Sequence, residues 1–187
     1  WLFVCCIMLV SFVSRIIGCY SVIAGSSREV PTEVRDALRR ACVRLGIVRI
    51  PDLVLSKDVP VPLTAGVLRP VIVLPSRSAT WPQEKLEMVV LHELAHVERH
   101  DVLWHWIGRL TICLAWFNPL VWLAARRGVL DRERACDDRV IDSGIEATSY
   151  GQCLVENAAA MTGRQLITTD AVSMAEPPLK QRMHWIL

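Results

Sequence analysis

Two histidines and one glutamate lie within five consecutive residues, in the stretch His92-Glu93-Leu-Ala-His96. Residues four apart on an α-helix share one face, so both imidazoles can point at a single metal ion. Glu93 is offset from His92 by about 100° around the helix axis, which leaves its carboxylate beside the ion rather than on it. This spacing predicts a zinc hydrolase site in which His92 and His96 bind Zn²⁺ and Glu93 is the catalytic base.

The motif is short, and chance matches on amphipathic helices are common. Its flanking residues are apolar and predict a deeply buried helix; they are Val89, Val90, Leu91, Leu94, Ala95 and Val97. Histidines without polar partners are costly in such a place. We therefore favour a metal site over a pair of ordinary core histidines.

A second pair of carboxylates follows further along the chain. If this segment is helical, Glu133 and Asp137 share a face with Cys136, Val140 and Ile141. Unpaired carboxylates on an otherwise apolar face are unfavourable. Metal ligation by Glu133 would remove that cost, and Asp137, one turn later, could accept the second ring N–H of a zinc-binding histidine. The alternative is a salt-bridged surface helix, because neighbouring residues are also charged: Asp131, Arg132, Arg134, Asp138 and Arg139.

The composition favours membrane association and argues against nucleic-acid binding. The 187 residues suit one domain, 52% of them are hydrophobic, and the mean hydropathy is +0.34. A net charge of +2 is too small to predict direct contact with nucleic acid. The seven cysteines are scattered without a paired motif, which fits reduced thiols rather than a disulfide framework.

The first 17 residues are nearly all apolar and predict the end of a transmembrane helix. The chain begins with Trp1 rather than Met, so we expect it to be part of a longer protein. Arginines accumulate after the apolar stretch, and this bias predicts that the following segment faces the cytoplasm. We therefore divide the chain into a helix end and linker (1–27) and a cytoplasmic-facing domain (28–187).

The remaining pattern predicts a mostly helical α+β domain. Apolar spacing indicates helices at 31–45, from Thr80 as N-cap to about His100, near 102–125, at 149–161 and from 179. Two strands at 50–56 and 67–75 are expected to form a small hairpin at a sheet edge, since Pro60, Pro62 and Pro70 lack ladder donors. The 102–125 helix should associate with the membrane and kink at Asn118-Pro119. Residues 162–178 are predicted to form a loop or lid.

Three motifs in this order resemble the membrane zinc metallopeptidases typified by the BlaR and MecR antibiotic-sensing transducers. They are His92-Glu-Leu-Ala-His96-Val-Glu-Arg-His-Asp101, Trp116-Phe-Asn-Pro-Leu-Val-Trp122 and Asp131-Arg-Glu-Arg-Ala-Cys-Asp-Asp138. The segment from Pro62 through Gly66 to Pro75 is similar to the hairpin that precedes the zinc motif in that family.

The resemblance implies a gluzincin-like zincin fold attached to transmembrane helices. It implies one Zn²⁺ on His92, His96 and Glu133, with Glu93 as base, in a multi-pass protein of the bacterial plasma membrane whose catalytic domain faces the cytoplasm. The implied partners are the lipid bilayer and a peptide or protein substrate, such as a cytoplasmic transcriptional repressor. A homodimer is a further expectation.

Three other functional hypotheses stay open. A site-two-protease type is disfavoured, because the stretch at 118–122 lacks the Asp-Gly motif of those enzymes. A CAAX-protease or HtpX-like enzyme of protein quality control shares the downstream glutamate and aspartate. A non-catalytic membrane transducer with structural zinc would not need Glu93. For a peptidase, the oxyanion donor is also open, with four candidates: His100, His105, Arg109 and Tyr150.

Overall fold

The computed structural model describes residues 1–162 and 179–186, and over these residues the chain is mostly helical with one small sheet. The helices are α1 (Leu2–Gly25), α2 (Thr32–Leu45), α3 (Gln83–Glu98), α4 (Asp101–Leu114), α5 (Pro119–Asp142), α6 (Ala147–Thr162) and α7 (Leu179–Ile186). The strands are β1 (Asp52–Ser56), β2 (Leu63–Ala65) and β3 (Val71–Pro75). The predicted mostly helical α+β class is confirmed. Residues 163–178 of the predicted loop or lid lie outside the described part of the chain.

Helix α1 is the one helix in the described residues that is long and apolar enough to cross a membrane. Its 24 residues correspond to about 36 Å, against a hydrocarbon thickness of about 30 Å. None of its residues is buried within the protein. Its last turns pack against the sheet through Cys19, Val22 and Ile23, so α1 is anchored to the rest of the chain at its C-terminal end.

Helices α2 and α3 form the centre of the core. α2 begins after Pro31 and ends at Gly46, which adopts the left-handed conformation (φ +72°) of a helix C-cap. Leu91 and Leu94 on α3 are fully buried, and each such leucine contributes roughly 1.5–3 kcal/mol through burial. This apolar packing fixes the helix that carries both histidines of the motif.

The sheet has the order β1-β3-β2, with β3 in the centre. β1 pairs with β3 in parallel and β2 pairs with β3 antiparallel. The predicted hairpin between 50–56 and 67–75 is therefore wrong. Pro70 precedes the first residue of β3, so its missing N–H leaves the ladder intact and β3 can be a central strand. The proline-containing segment between the two predicted strands supplies the edge strand β2, which packs against α3.

Helix α3 begins at Gln83 after Pro82, and Thr80 is not its N-cap. The Thr80 hydroxyl instead donates to the Arg77 carbonyl at 2.9 Å, within a short 3₁₀ helix. At the other end, α3 stops at Glu98. His100 has the left-handed conformation (φ +55°) and N-caps α4. This tight turn starts α4 immediately after the zinc motif.

The predicted single helix near 102–125 is two helices. α4 ends at Leu114, and α5 begins at Pro119. Asn118 caps α5 by accepting the Leu120 N–H at 2.9 Å, and a proline in the first turn needs no donor. The Asn-Pro pair is therefore a helix start rather than a kink, and α5 returns along α4 and α3. A two-fold hydrogen-bonded ion pair from Arg139 to Glu98 fastens α5 to α3.

Candidate metal centre

Helices α3 and α5 bring His92, His96 and Glu133 together. The Nε2 atom of His92 lies 3.5 Å from Oε2 of Glu133, and Nε2 of His96 lies 3.6 Å from Oε1 of the same carboxylate. One ligand atom from each residue lies within 4.8 Å of the other two. The two imidazoles thus present the same ring nitrogen to one carboxylate.

The donor set fits Zn²⁺. Ligands at 2.0–2.2 Å in a tetrahedron are separated from one another by roughly 3.3–3.6 Å, close to the two distances to Glu133. Two imidazole nitrogens and one carboxylate leave a fourth position open, which is the composition of a catalytic zinc site. The three side chains keep 13%, 18% and 16% of their surface exposed, so a small molecule can reach the cluster.

Behind His92, a buried chain of polar groups fixes the ring. His92 Nδ1–H donates to the Tyr150 hydroxyl at 2.9 Å, and this hydroxyl donates to Asp137 Oδ1 at 2.7 Å. Asp137, predicted to accept the ring N–H itself, lies 3.4 Å from Nδ1 with Tyr150 as the closer partner. Arg182 of α7 donates to both Asp137 oxygens, at 2.9 and 2.6 Å. The arrangement holds Nδ1 protonated and leaves Nε2 for a metal.

Behind His96, the matching partner is Asp101. Its Oδ2 lies 2.9 Å from His96 Nδ1, and Asp101 is the first residue of α4. This pair of histidine and carboxylate was not predicted from the sequence and is a finding of the structure. The left-handed turn at His100 turns the chain so that Asp101 faces back onto α3.

The Cys136 thiol also approaches His96, at 3.2 Å from Nδ1, and donates to Asp101 at 3.6 Å. His96, Asp101 and Cys136 therefore form a second group with metal-binding atoms. Burial and the negative charges of Asp101 and Glu133 raise the pKa of the Cys136 thiol well above its usual range. Asp101 and Cys136 face Nδ1 of His96, whereas Nε2 of the same ring faces Glu133, so we assign this group to support of the His96 ring.

The electrostatics of the cluster favour paired charges. Burial lowers the pKa of His92, but hydrogen bonds to Asp137 and Glu133 outweigh burial and raise it to about 10. Burial likewise raises the pKa of Glu133, yet its hydrogen bond with His92 and the charges of His96, His92 and Arg182 lower it to about 2. The metal-free cluster therefore holds an imidazolium beside a carboxylate at neutral pH.

Glu93 is held from the sheet. Its side chain is buried, and its Oε2 accepts a hydrogen bond of 2.8 Å from the Thr64 hydroxyl of β2. The same hydroxyl lies 3.2 Å from the Glu93 carbonyl oxygen. The edge strand thus restrains the carboxylate that the motif predicts as the catalytic base.

Of the four predicted oxyanion donors, Tyr150 is engaged behind His92 by the bonds already described. His100 is exposed in the turn between α3 and α4. His105 and Arg109 lie on α4 and stay predictions.

Comparisons with known proteins identify the family of the chain. The BlaR1 peptidase M56 family matches residues 1–186, nearly the whole chain. The chain belongs to the M56 peptidase family. The resemblance to BlaR/MecR-type peptidases that the motifs indicated is thereby confirmed.

Two kinds of curated relative are similar to this M56 chain. The regulatory protein BlaR1 of Bacillus licheniformis is 38% identical over 80 residues, which are 43% of this chain and 13% of that protein. The methicillin resistance mecR1 protein of Staphylococcus aureus (strain Mu50 / ATCC 700699) is 28% identical over 104 residues, 54% of this chain and 18% of that protein. The matched regions thus span less than a fifth of either relative.

Two residues of the candidate site were not predicted from the sequence. Thr64 lies in a proline-interrupted segment, and Arg182 lies 45 residues beyond the carboxylate that it binds. Arg182 is 6% exposed, and a buried arginine needs a carboxylate partner. The sequence did contain one indication of Arg182, since Glu133 and Asp137 share an otherwise apolar face of α5. Two carboxylates on such a face predict a basic side chain from another part of the chain.

We predict that zinc binding releases about one proton from His92, because a metal needs the neutral ring and the metal-free pKa is about 10. Apparent affinity should therefore rise with pH, by about tenfold per unit between pH 7 and 9. Calorimetry in two buffers of different ionisation enthalpy measures the proton release.

Asp137→Asn is the control for this effect, since it removes the carboxylate that raises the His92 pKa. Its zinc affinity should be lower overall and less dependent on pH. A pH-independent affinity in the unaltered chain would contradict the assigned charge state.

Proposed function

We propose that this chain is the zinc metallopeptidase domain of a BlaR/MecR-like membrane signal transducer and that it hydrolyses peptide bonds. The observation that carries the proposal is the convergence of both motif histidines, through Nε2, on the carboxylate of Glu133. A carboxylate network behind each ring orients it, as in known zinc-histidine sites. In this reading the domain has a gluzincin-like zincin architecture.

His92, His96 and Glu133 would hold the ion and leave one position open to solvent. Bound Zn²⁺ at such a site supplies Lewis acidity, which polarises the peptide carbonyl and lowers the pKa of water. Glu93 removes the proton from the attacking water and then delivers it to the leaving amine. Thr64 keeps the Glu93 carboxylate in one orientation, so the base needs no rearrangement before the proton transfer.

The edge strand β2 is the element best placed to receive the substrate. It pairs with β3 on one side only among the described residues, and its Thr64 touches Glu93. An extended peptide that adds to a sheet edge gains main-chain hydrogen bonds regardless of its sequence. We assign to β2 the alignment of a peptide beside the base.

The biological substrate in this proposal is a cytoplasmic regulator. The relatives' printed names, a regulatory protein and a methicillin resistance protein, support a signalling role. The positive-inside bias of the basic residues that follow α1 supports a cytoplasmic side for the domain at a bacterial plasma membrane; they are Arg28, Arg35, Arg39, Arg40 and Arg44.

We predict that Glu93→Gln abolishes peptide cleavage and leaves zinc content unchanged, because Glu93 is a base and not a ligand. Glutamine keeps an oxygen that can accept the Thr64 hydrogen bond. The assay uses the zinc-loaded chain in lipid vesicles with a peptide library and mass spectrometry of the products.

Glu84→Gln is the matched control, because Glu84 is exposed in the first turn of α3, and this variant should cleave normally. Equal cleavage by both variants would exclude Glu93 as base, and zinc without any cleavage in the unaltered chain would favour a structural metal.

Thr64→Val should lower kcat by about 10- to 100-fold, by analogy with other residues that orient a site's reacting groups, while zinc content stays unchanged. The cause is loss of the hydroxyl that holds Glu93 Oε2. Thr64→Ser keeps the hydroxyl and should retain most activity. A valine variant as active as the serine variant would show that the contact does not position the base.

A further inference from the structure

An unusually apolar surface covers the helical hairpin made by α4, the turn at 115–118 and the first turns of α5. Between 107 and 125, every exposed position is apolar except Thr111, and the Thr111 hydroxyl is bonded to the Ile107 carbonyl at 2.8 Å. The exposed large side chains there, named below as the hairpin surface, are Ile107, Leu110, Leu114, Phe117, Leu120, Trp122 and Leu123.

The exposure of this hairpin surface is large. Phe117 is 63% exposed, Leu120 is 68% exposed and Leu114 is 53% exposed. Contact of so much clustered apolar area with water is unfavourable, and a patch of this kind marks an interaction surface.

The hairpin surface is continuous with the candidate membrane span. α1 packs against α4. α1 itself exposes Phe3, Ile7 and Val10. The exposed apolar surfaces of α1 and of the hairpin are therefore covered by the same environment. Because α1 is long and apolar enough to span a membrane, we infer that this environment is lipid.

We propose that the α4–α5 hairpin is a re-entrant element that enters the hydrocarbon of the bilayer beside α1 and turns back within it. α4 has 14 residues, about 21 Å, which is shorter than the hydrocarbon thickness of about 30 Å. The next exposed charged residues along α5 are Arg126 and Arg127. They mark the point at which α5 leaves the apolar hairpin. The occupant of the surface is thus lipid acyl chains.

The turn of the hairpin meets the main requirement for backbone inside lipid, which is internal hydrogen bonding. Ala115 N–H donates to the Thr111 carbonyl, and Asn118 N–H donates to the Ala115 carbonyl. Asn118 in turn accepts the Leu120 and Val121 N–H groups through its side chain and its carbonyl.

Most polar side-chain atoms of the hairpin also have a partner within the protein. Trp122 Nε1 donates to the Trp116 carbonyl at 2.8 Å, while Trp116 Nε1 is the exception, buried without a partner among the described residues. Arg109 is half-buried and interacts within the described chain, as intramembrane charges do when they face protein rather than lipid.

A re-entrant hairpin fixes where the metal centre lies. Asp101, which contacts His96, starts α4, and Glu133 lies seven residues after Arg126 on α5, about 10 Å along the helix. The centre would therefore lie near the membrane surface, within reach of substrate segments close to the lipid. This inference does not depend on peptidase activity, so either can fail without the other.

Spin-label accessibility tests the proposal on the full chain in phosphatidylcholine/phosphatidylglycerol vesicles. A nitroxide is attached to Leu120→Cys or Leu114→Cys, with Val43→Cys on α2 (83% exposed) and Leu68→Cys (85% exposed) as matched controls. Cys5, Cys6 and Cys19 are replaced by serine, because the other four cysteines are buried. Phe117→Cys, at the turn, replaces either hairpin variant that lacks the helical circular dichroism of the unlabelled chain.

The expected result is high collision with oxygen and loss of collision with a water-soluble nickel chelate at 114 and 120, and the reverse at 43 and 68. Nickel access at 120 equal to that at 43 would show that water covers the hairpin. Low access to both reagents would show that protein covers it, as in a second copy of the chain. Either result overturns the proposal.

Discussion

The pairing of buried charge around two imidazoles is the constraint on which the rest of the structure depends. Asp137 is fully buried and Asp101 is 5% exposed, and an unpaired carboxylate in such a place costs several kcal/mol. Each is compensated: Asp137 by Arg182 and the Tyr150 hydroxyl, Asp101 by His96. These bonds draw α4, α5, α6 and α7 onto the single helix α3. The same bonds leave the Nε2 atoms of both histidines directed at Glu133.

The apolar core makes that arrangement rigid. α3 buries leucines and valines against α2, and the sheet lies beside it with Thr64 directed at Glu93. A site built on regular elements of this kind keeps its reacting groups within narrow limits of position. The candidate membrane span α1 meets the same frame at a different end, since it packs on the sheet and on α4. Helix α4, which begins at Asp101, thus connects the candidate metal centre with the candidate span.

Features encoded within one helix could be predicted from the sequence, and contacts between distant elements could not. The four-residue spacing places His92 and His96 on one face, and Glu133 and Asp137 stood out as carboxylates on an apolar face. Thr64 and Arg182 gave no local signal, because their roles depend on which strand and which helix pack nearby. The parallel pairing of β1 with β3 was missed for the same reason, since prolines limit donors but do not specify register. Asn118-Pro119 has the residue types of a helix N-terminus, but the sequence analysis interpreted the pair as a kink within one helix.

X-ray absorption at the zinc edge of the purified, zinc-loaded chain tests the central claim most directly. The account predicts a first shell of nitrogen and oxygen alone at about 2.0–2.2 Å, with outer-shell scattering from two imidazoles. A sulfur atom at about 2.3 Å would place the ion on Cys136, in the group with His96 and Asp101, and would contradict the assignment. A spectrum with a single imidazole would contradict it equally.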